Sequence, residues 1–238
     1  MSDHLTDDVT TLRIACADLD ARPLFWTDPD GSRHGYEPDA AELVFAEAGY
    51  RLEWVFLQWK DFLPSVADGS VDGVWCGMGI IPERQAIVDF TDPYTVFNES
   101  VVMREGTTAT TPEELAGLRI GAIADSANMR LARTFPDVEL VPFDGATDDV
   151  FGDMIAALRS GDIDGFVDDD VVMVPLGDEP DLRLAFTVET RNPWGMGVRK
   201  GNDEVRERLN AALAAVKADG RLLEVWQRWL PANLAYPF

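Results

Sequence analysis

The feature that most constrains this chain is a plan written twice. Leu12-Arg13-Ile14-Ala15-Cys16-Ala17-Asp18 and Leu118-Arg119-Ile120-Gly121-Ala122-Ile123-Ala124-Asp125 are both short apolar runs that end in an acid. Each reads as a strand of a parallel sheet, buried on both faces and emptying into a loop. A second pair follows in the same order: Asp68-Gly69-Ser70-Val71-Asp72-Gly73-Val74-Trp75 and Ser160-Gly161-Asp162-Ile163-Asp164-Gly165-Phe166-Val167. Each member follows a helix-like stretch (62–67 and 150–159) and turns at its first glycine, which can take the left-handed position that closes a helix. An Asp-Gly step then leads into another apolar strand. Two matches in one order point to two α/β lobes of like design.

Helix signals fill the intervals. Residues 38–48 have Pro38 in the first turn and Gly49 just past the end. Thr111-Pro112-Glu113-Glu114 has the form of a capping box. Thr147-Asp148-Asp149 opens a helix with acids where the helix dipole favours them. The tail predicts two helices, 204–218 and 222–230, separated by Asp219-Gly220. Helices alternating with strands imply sheets that are mainly parallel and flanked by helices. In such sheets ligands collect beyond the carboxyl ends of the strands. That rule selects four loops, 18–26 and 76–84 in the first lobe, 125–128 and 168–170 in the second. If the lobes face each other, all four line one cleft.

Composition removes several classes of function. At 238 residues, 46% apolar and with seven Trp, the chain can bury a sizeable core. A net charge of −23 repels phosphate backbones, which argues against nucleic acid as a partner. His4 and His34 are the only histidines and both lie in polar stretches, so a histidine-based triad or multi-histidine metal site is not expected; no cofactor is implied. Cys16 and Cys76 sit in apolar runs and read as core thiols, with a disulfide left open. No run reaches the roughly 18 apolar residues of a membrane span. Residues 1–8 are acidic and lack the basic and apolar regions of an export signal, so either a signal has been removed or the protein is cytoplasmic.

Gly77-Met78-Gly79-Ile80-Ile81-Pro82-Glu83-Arg84, followed by Val88-Asp89-Phe90-Thr91-Asp92-Pro93-Tyr94, resembles the signature of bacterial family 3 solute-binding proteins, the receptors that feed polar amino acids to ABC importers. Gly35-Tyr36-Glu37-Pro38-Asp39, Gly195-Met196-Gly197-Val198-Arg199-Lys200-Gly201, and Ala218-Asp219-Gly220 with Trp226 and Trp229 resemble further motifs of that family. The resemblance implies a two-lobed Venus-flytrap fold of the periplasmic binding protein type II class. Lobe 1 would be 1–98 plus 193–238 and lobe 2 the insert 99–192, with hinges near 97–100 and 190–193. It also implies an extracytoplasmic monomer that closes on a small polar ligand and docks on a permease.

The candidate site residues follow from both readings. A guanidinium at Arg84, after a glycine-rich strand end, can take a carboxylate through two parallel hydrogen bonds, as the family's matching Arg does; a surface pair with Glu83 or Asp89 is the alternative. Ser126 starts a short helix, and its hydroxyl with the N–H groups of Ala127 and Asn128 would cradle an anion; an ordinary helix cap is compatible with that. Asp169 matches the acid the family places on the ligand's ammonium, against solvated acids at a strand end. Trp59 matches an aromatic that stacks on the ligand, against core packing. Asp18 matches an acid that helps some relatives hold basic side chains, and Gly77 and Gly79 belong to the signature strand. Trp26, Trp75 and Trp194 are expected as core or cleft wall. Four positions depart from the pattern: Gly79 and Ile81 replace two Thr, Ala21 replaces an aromatic, and Asp125 replaces a Gly. They imply a larger or unusual ligand, such as a modified amino acid or a betaine-like cation, or loss of amino-acid binding. Two other functions stand beside the transport receptor: a cleft enzyme like the cyclohexadienyl dehydratases, with Asp169 as proton donor, and a sensor without a transporter.

Overall fold

A computed structural model describes residues 9–145, 147, 149–172, 176, 179–232 and 234–238. The sequence readings on residues 1–8, His4 among them, and on Asp148 lie outside these. Twelve strands are described: β1 Thr11–Cys16, β2 Trp26–Thr27, β3 Arg33–His34, β4 Arg51–Phe56, β5 Gly73–Val74, β6 Asp89–Phe90, β7 Thr95–Arg104, β8 Arg119–Ile123, β9 Glu139–Phe143, β10 Gly165–Asp169, β11 Leu182–Trp194 and β12 Gly197–Val198. The helices are α1 Tyr36–Ala48, α2 Phe62–Asp68, α3 Pro82–Gln85, α4 Ala127–Ala132, α5 Val150–Ser160, α6 Asp203–Ala218 and α7 Arg221–Trp229.

Two five-stranded sheets carry the fold, ordered β4-β1-β5-β12-β6 and β11-β7-β10-β8-β9. The parallel part of each is a three-stranded core, β4-β1-β5 in one and β9-β8-β10 in the other. The remaining pairings are antiparallel, so both sheets are mixed: β12 runs against β5 and β6, and β7 against β10 and β11.

The repeated sequence has a repeated physical cause. Gly69 and Gly161 close α2 and α5 in the left-handed region, at φ 84° and 82°. The Asp of each Asp-Gly step then ties the new strand to the repeat's first strand. Asp72 accepts from the Arg13 amide at 2.8 Å, and Asp164 from the Arg119 amide at 2.9 Å. The return bonds run from the Asp72 and Asp164 amides to the Arg13 and Arg119 carbonyls, at 2.8 Å each. The glycine that follows is required by crowding. A Cβ on Gly73 would lie 2.7 Å from the Gly197 carbonyl oxygen, and one on Gly165 would lie 3.0 Å from that of Val102.

The helix at 38–48 starts two residues earlier, at Tyr36, behind Gly35 at φ 118°. The box at Thr111 forms one residue upstream, because Glu114 accepts from the amide and hydroxyl of Thr110 while Thr111 makes no cap bond. One apolar core packs α1, α2, α6 and α7 on the first sheet, with Ile14, Phe45, Phe62, Trp75 and Trp226 at its centre. The second sheet has a core on each face, and the alternation along β7 assigns Val101 and Met103 to one and Val102 to the other. Cys16 and Cys76 are free and buried, and burial pushes the Cys16 thiol up to about 12.

The two crossings between the sheets lie side by side. Thr95, Val96 and Phe97 of β7 pair with Trp194, Pro193 and Asn192 of β11, and the register then slips between Val188 and Asn192. Arg191, within the slip, has φ 50°. This irregular ribbon occupies the segments where the sequence placed its hinges.

Candidate functional site

The carboxyl ends of both parallel cores open onto one cavity of about 560 Å³. All nine candidate residues line it: Asp18, Trp59, Gly77, Gly79 and Arg84 from the first sheet's loops, Ser126, Ala127, Asn128 and Asp169 from the second's. Sequence reasoning missed three stretches of its wall. Leu57 and Gln58 follow β4, Gly145, Thr147, Val150 and Phe151 follow β9, and Asn192 stands on the ribbon of paired crossings. The first two are again strand carboxyl ends, so applying the strand-end rule to every strand would have found them.

Arg84 lies in α3, which starts on Pro82 just after the glycine-rich strand end. It is 5% exposed, and its two terminal nitrogens donate to backbone carbonyls, Gly79 at 3.0 Å and Asp125 at 3.4 Å. Burial lowers its pKa to about 10, which leaves it cationic at neutral pH. The surface pairing weighed for it is not what forms: Glu83 takes Arg130 across the cleft at 3.0 Å, and Asp89 takes Lys200 at 3.5 Å. The Trp59 ring stands 5.2 Å from the Arg84 guanidinium carbon and meets Phe62 edge-on. Trp59 therefore walls the cleft and covers the cation at once.

The departures from the family pattern acquire causes here. A Cβ on Gly79 would fall 2.9 Å from the Asn192 side chain, so the glycine makes room for an amide that lines the cavity. Asp125 sits at φ 58°, a conformation that Asp tolerates better than most residues. Its side chain is exposed, and its carbonyl is what meets Arg84.

Ser126 requires a correction. Its hydroxyl donates to the Ile123 carbonyl at 2.6 Å and accepts from the Met129 amide at 3.0 Å. Both functions of the oxygen are spent on shaping the turn, so it has no proton left for an anion. The first-turn amides of Ala127 and Asn128 still lack acceptors inside α4, as in any helix.

The other pole is acidic. Asp168 is 6% exposed and accepts from Asn128 Nδ2 at 3.1 Å and from the Asp169 amide at 2.8 Å. Burial pushes it up to about 7. Burial first, then the charges of Asp168, Glu99 and Asp170, holds Asp169 well above the usual carboxylate range. The sequence run Asp168-Asp169-Asp170 thus divides: the first two line the cavity, and Asp170 turns away to accept from Asn98 at 3.3 Å. Asp18 lines the cavity from an exposed position.

One support behind the wall carries no sequence signal of its own. Glu37, 1% exposed, accepts from the Gly77 amide at 3.1 Å and from the Tyr94 hydroxyl at 2.8 Å. It thereby fixes Gly77, at φ 58°, on the cavity wall. Of the three tryptophans assigned to core or wall, Trp75 is core and stacks on Tyr94 with centroids 4.0 Å apart, while Trp194 lies under Gly77 at the cavity. Trp26 packs against Trp229 and His34.

Comparison with known proteins agrees with this geometry. Residues 13–232 match the family described as bacterial extracellular solute-binding proteins, family 3. The chain is 31% identical to ABC transporter arginine-binding protein 1 of Escherichia coli (strain K12) over 204 residues, 83% of this chain and 82% of that one. It is 26% identical to the ABC transporter glutamine-binding protein GlnH of Bacillus subtilis (strain 168), over 74% of this chain and 64% of that one. An ancestral arginine-binding protein bound to arginine superposes with a TM-score of 0.81 at 26% identity, covering 92% of this chain and 97% of that one.

Proposed function

This chain belongs to the bacterial extracellular solute-binding proteins of family 3, and from that premise we propose that its cleft binds an amino acid or an amino-acid-like cation as the receptor of an ABC importer. The observation that carries the reading is a pair of opposite poles in one cavity. Arg84 is buried, cationic and planar, and offers a carboxylate two parallel donors. Asp168, Asp169 and Asn128 face it from the second sheet with acceptors for an ammonium.

In this reading Trp59 packs on the ligand's stem, the Ala127 and Asn128 amides assist Arg84, and Gly77 and Gly79 let the backbone approach. Asp18 stands at the mouth for a basic side chain. The lobes are those the sequence implies, 1–98 with 193–238 and 99–192, moving about the paired crossings. Closure is a population shift that contacts from both lobes to one ligand would bias. Support for it lies in contacts that need both lobes: Arg84 on the Asp125 carbonyl, Glu83 on Arg130, and Gly145 against Trp59. The closed form is what a permease on the membrane's outer face would recognise, and binding rather than turnover is the cleft's task.

A thermal-shift screen of amino acids, opines and betaines tests this, because a ligand of the folded form must raise its stability. A shift from at least one zwitterionic or cationic amino acid is expected, and no shift from any would overturn the reading. The buried acid at Asp169, held well above the usual carboxylate range, favours one other reading, a dehydratase-like cleft. Turnover of prephenate or arogenate, lost in Asp169→Asn, would establish that instead.

A further inference from the structure

Glu99 has no part in the site as described, yet it lies directly behind it. On the antiparallel pair β10 and β7, Asp169 is opposite Glu99 and Asp168 opposite Ser100. Directly opposed residues share a face of the sheet, which brings the Glu99 and Asp169 carboxyls together. Glu99 is 2% exposed, and the Thr190 hydroxyl donates to it. Around this group the acceptors outnumber the donors. Among the described residues, Asn128 Oδ1, on a side chain 4% exposed, has no partner, and neither have Asp169 Oδ1 and Asp170 Oδ1.

The charged groups facing the cluster come from a few elements. Asp168 and Asp170 flank Asp169 on its own segment, and Arg84 faces it from the first sheet's side of the cavity. Helix α4 contributes neutral Asn128, and β7 contributes neutral Asn98 and Ser100. From β11 come neutral Thr187 and Thr190, with Glu189 and Arg191 exposed to solvent.

We propose that Glu99 is a specificity-determining residue of this cleft: with Asp168 and Asp169 it forms a proton-sharing cluster, from which a ligand cation displaces a proton on entry. The inference rests on the cleft-binding reading above. Neighbouring buried carboxyls oppose one another's ionisation, so the empty cluster keeps a proton that belongs to the group rather than to one residue. Burial and the Asp170 charge push Glu99 up to about 7, the same region as Asp168. A cation that arrives with several N–H donors satisfies the orphaned oxygens and stabilises the ionised cluster. The proton leaves to solvent, and no other atom changes hands. The cluster therefore selects primary ammonium, amidinium or guanidinium groups. A quaternary ammonium has no N–H to give and would leave the acceptors unsatisfied. Affinity rises with pH through about 7 and then levels off, by up to about tenfold per pH unit per proton displaced.

Two measurements decide this. Carboxyl ¹³C NMR of the ligand-free wild-type protein needs no variant. It should show the cluster titrating between about pH 6 and 8, and in Glu99→Gln the remaining acids should titrate lower. Calorimetry of L-arginine, L-lysine and L-glutamine binding, in buffers of different ionisation enthalpy, should show proton release on binding that diminishes in Glu99→Gln. Cluster carboxyls that all titrate below about pH 5, binding heats independent of buffer, or release unchanged in Glu99→Gln would each overturn the inference alone. No heat from any of the three probes would overturn the proposed function, and the inference with it.

Discussion

The two poles of the cleft solve the problem of a buried charge in opposite ways. Arg84 is furnished before any ligand arrives: two backbone carbonyls accept from it and the Trp59 ring covers its face. Carbonyls carry no net charge, so they orient the guanidinium without neutralising it. The acids of the second lobe have the reverse arrangement, with like charges that oppose one another and, among the described residues, oxygens left without donors. The first pole is pre-organised for its partner, whereas the second is completed by it. Affinity for a carboxylate should therefore be nearly independent of pH near neutrality. Affinity for a cation should not.

The largest expected effect breaks the pre-organised pole. Arg84→Ala should abolish the thermal shift given by whichever compound the screen identifies. Leaving a ligand carboxylate unpaired in a closed cleft costs about 3–5 kcal/mol, a hundredfold to a thousandfold or more in affinity. Arg84→Lys should recover only part of it, because an ammonium cannot present the planar fork. A full shift in Arg84→Ala would move the carboxylate's partner elsewhere and end the comparison. The acidic pole comes next. Asp169→Asn should weaken an ammonium ligand by about 1.5–3 kcal/mol, the contribution typical of a hydrogen bond to a charged group, as read by calorimetry at pH 8. The loss should shrink at pH 6, below the value of about 7 to which burial pushes Asp168 and Glu99. An equal loss at both pH values would mean that Asp169 is ionised throughout.

The asymmetry between the poles also explains what the sequence could and could not disclose. The Asp-Gly repeat was legible because it is written twice: each Asp ties one strand start to the strand beside it, once per lobe. Arg84 was legible because it ends a glycine-rich run, and Asp169 because its place after the second repeat matches the acid of the family that the chain resembles. Glu99 was not, since it lies in the apolar run of β7 and meets the acids only through antiparallel pairing with β10. Nor was Glu37, whose partners Gly77 and Tyr94 lie 40 and 57 residues away. Ser126 was half legible, for the cap was correct and the spare proton was not. A long-range partnership that occurs once, with no second copy in the chain, leaves no pattern to read.

Glu37 sharpens the comparison from within the first lobe, as a buried acid that does have donors. Its two partners, the Gly77 amide and the Tyr94 hydroxyl, both give protons, and burial still raises it to about 7. The folded protein then keeps a proton that the unfolded chain releases near about pH 4.3. Between those values the folded state binds more protons, so this contribution to stability is full at low pH and is lost as pH rises through about 7. Denaturation at about pH 5 and 8 should show wild-type stability falling across the interval and a smaller fall in Glu37→Gln. At pH 8 the glutamine cannot accept from both donors, so a loss of about 1–3 kcal/mol is expected there. Wild-type stability that rises over the same interval would show that the donors outweigh burial.

The smallest effect tests whether closure belongs to the poles at all. Glu83 and Arg130 pair across the mouth of the cleft at 3.0 Å, but their side chains are 66% and 51% exposed. Exposed pairs of this kind contribute about 0.2–1 kcal/mol and are screened by salt. Glu83→Gln should therefore speed ligand release by less than about fivefold in stopped-flow measurements at low ionic strength, and the difference should vanish at about 0.5 M salt. Arg84 differs in being buried between backbone acceptors, where salt does not reach. If Glu83→Gln accelerated release as strongly as it is lost in Arg84→Ala, and did so at high salt, the clamp would be held at its rim. The contrast between a furnished pole and an unfurnished one would then describe how the ligand is recognised, not what keeps the lobes shut.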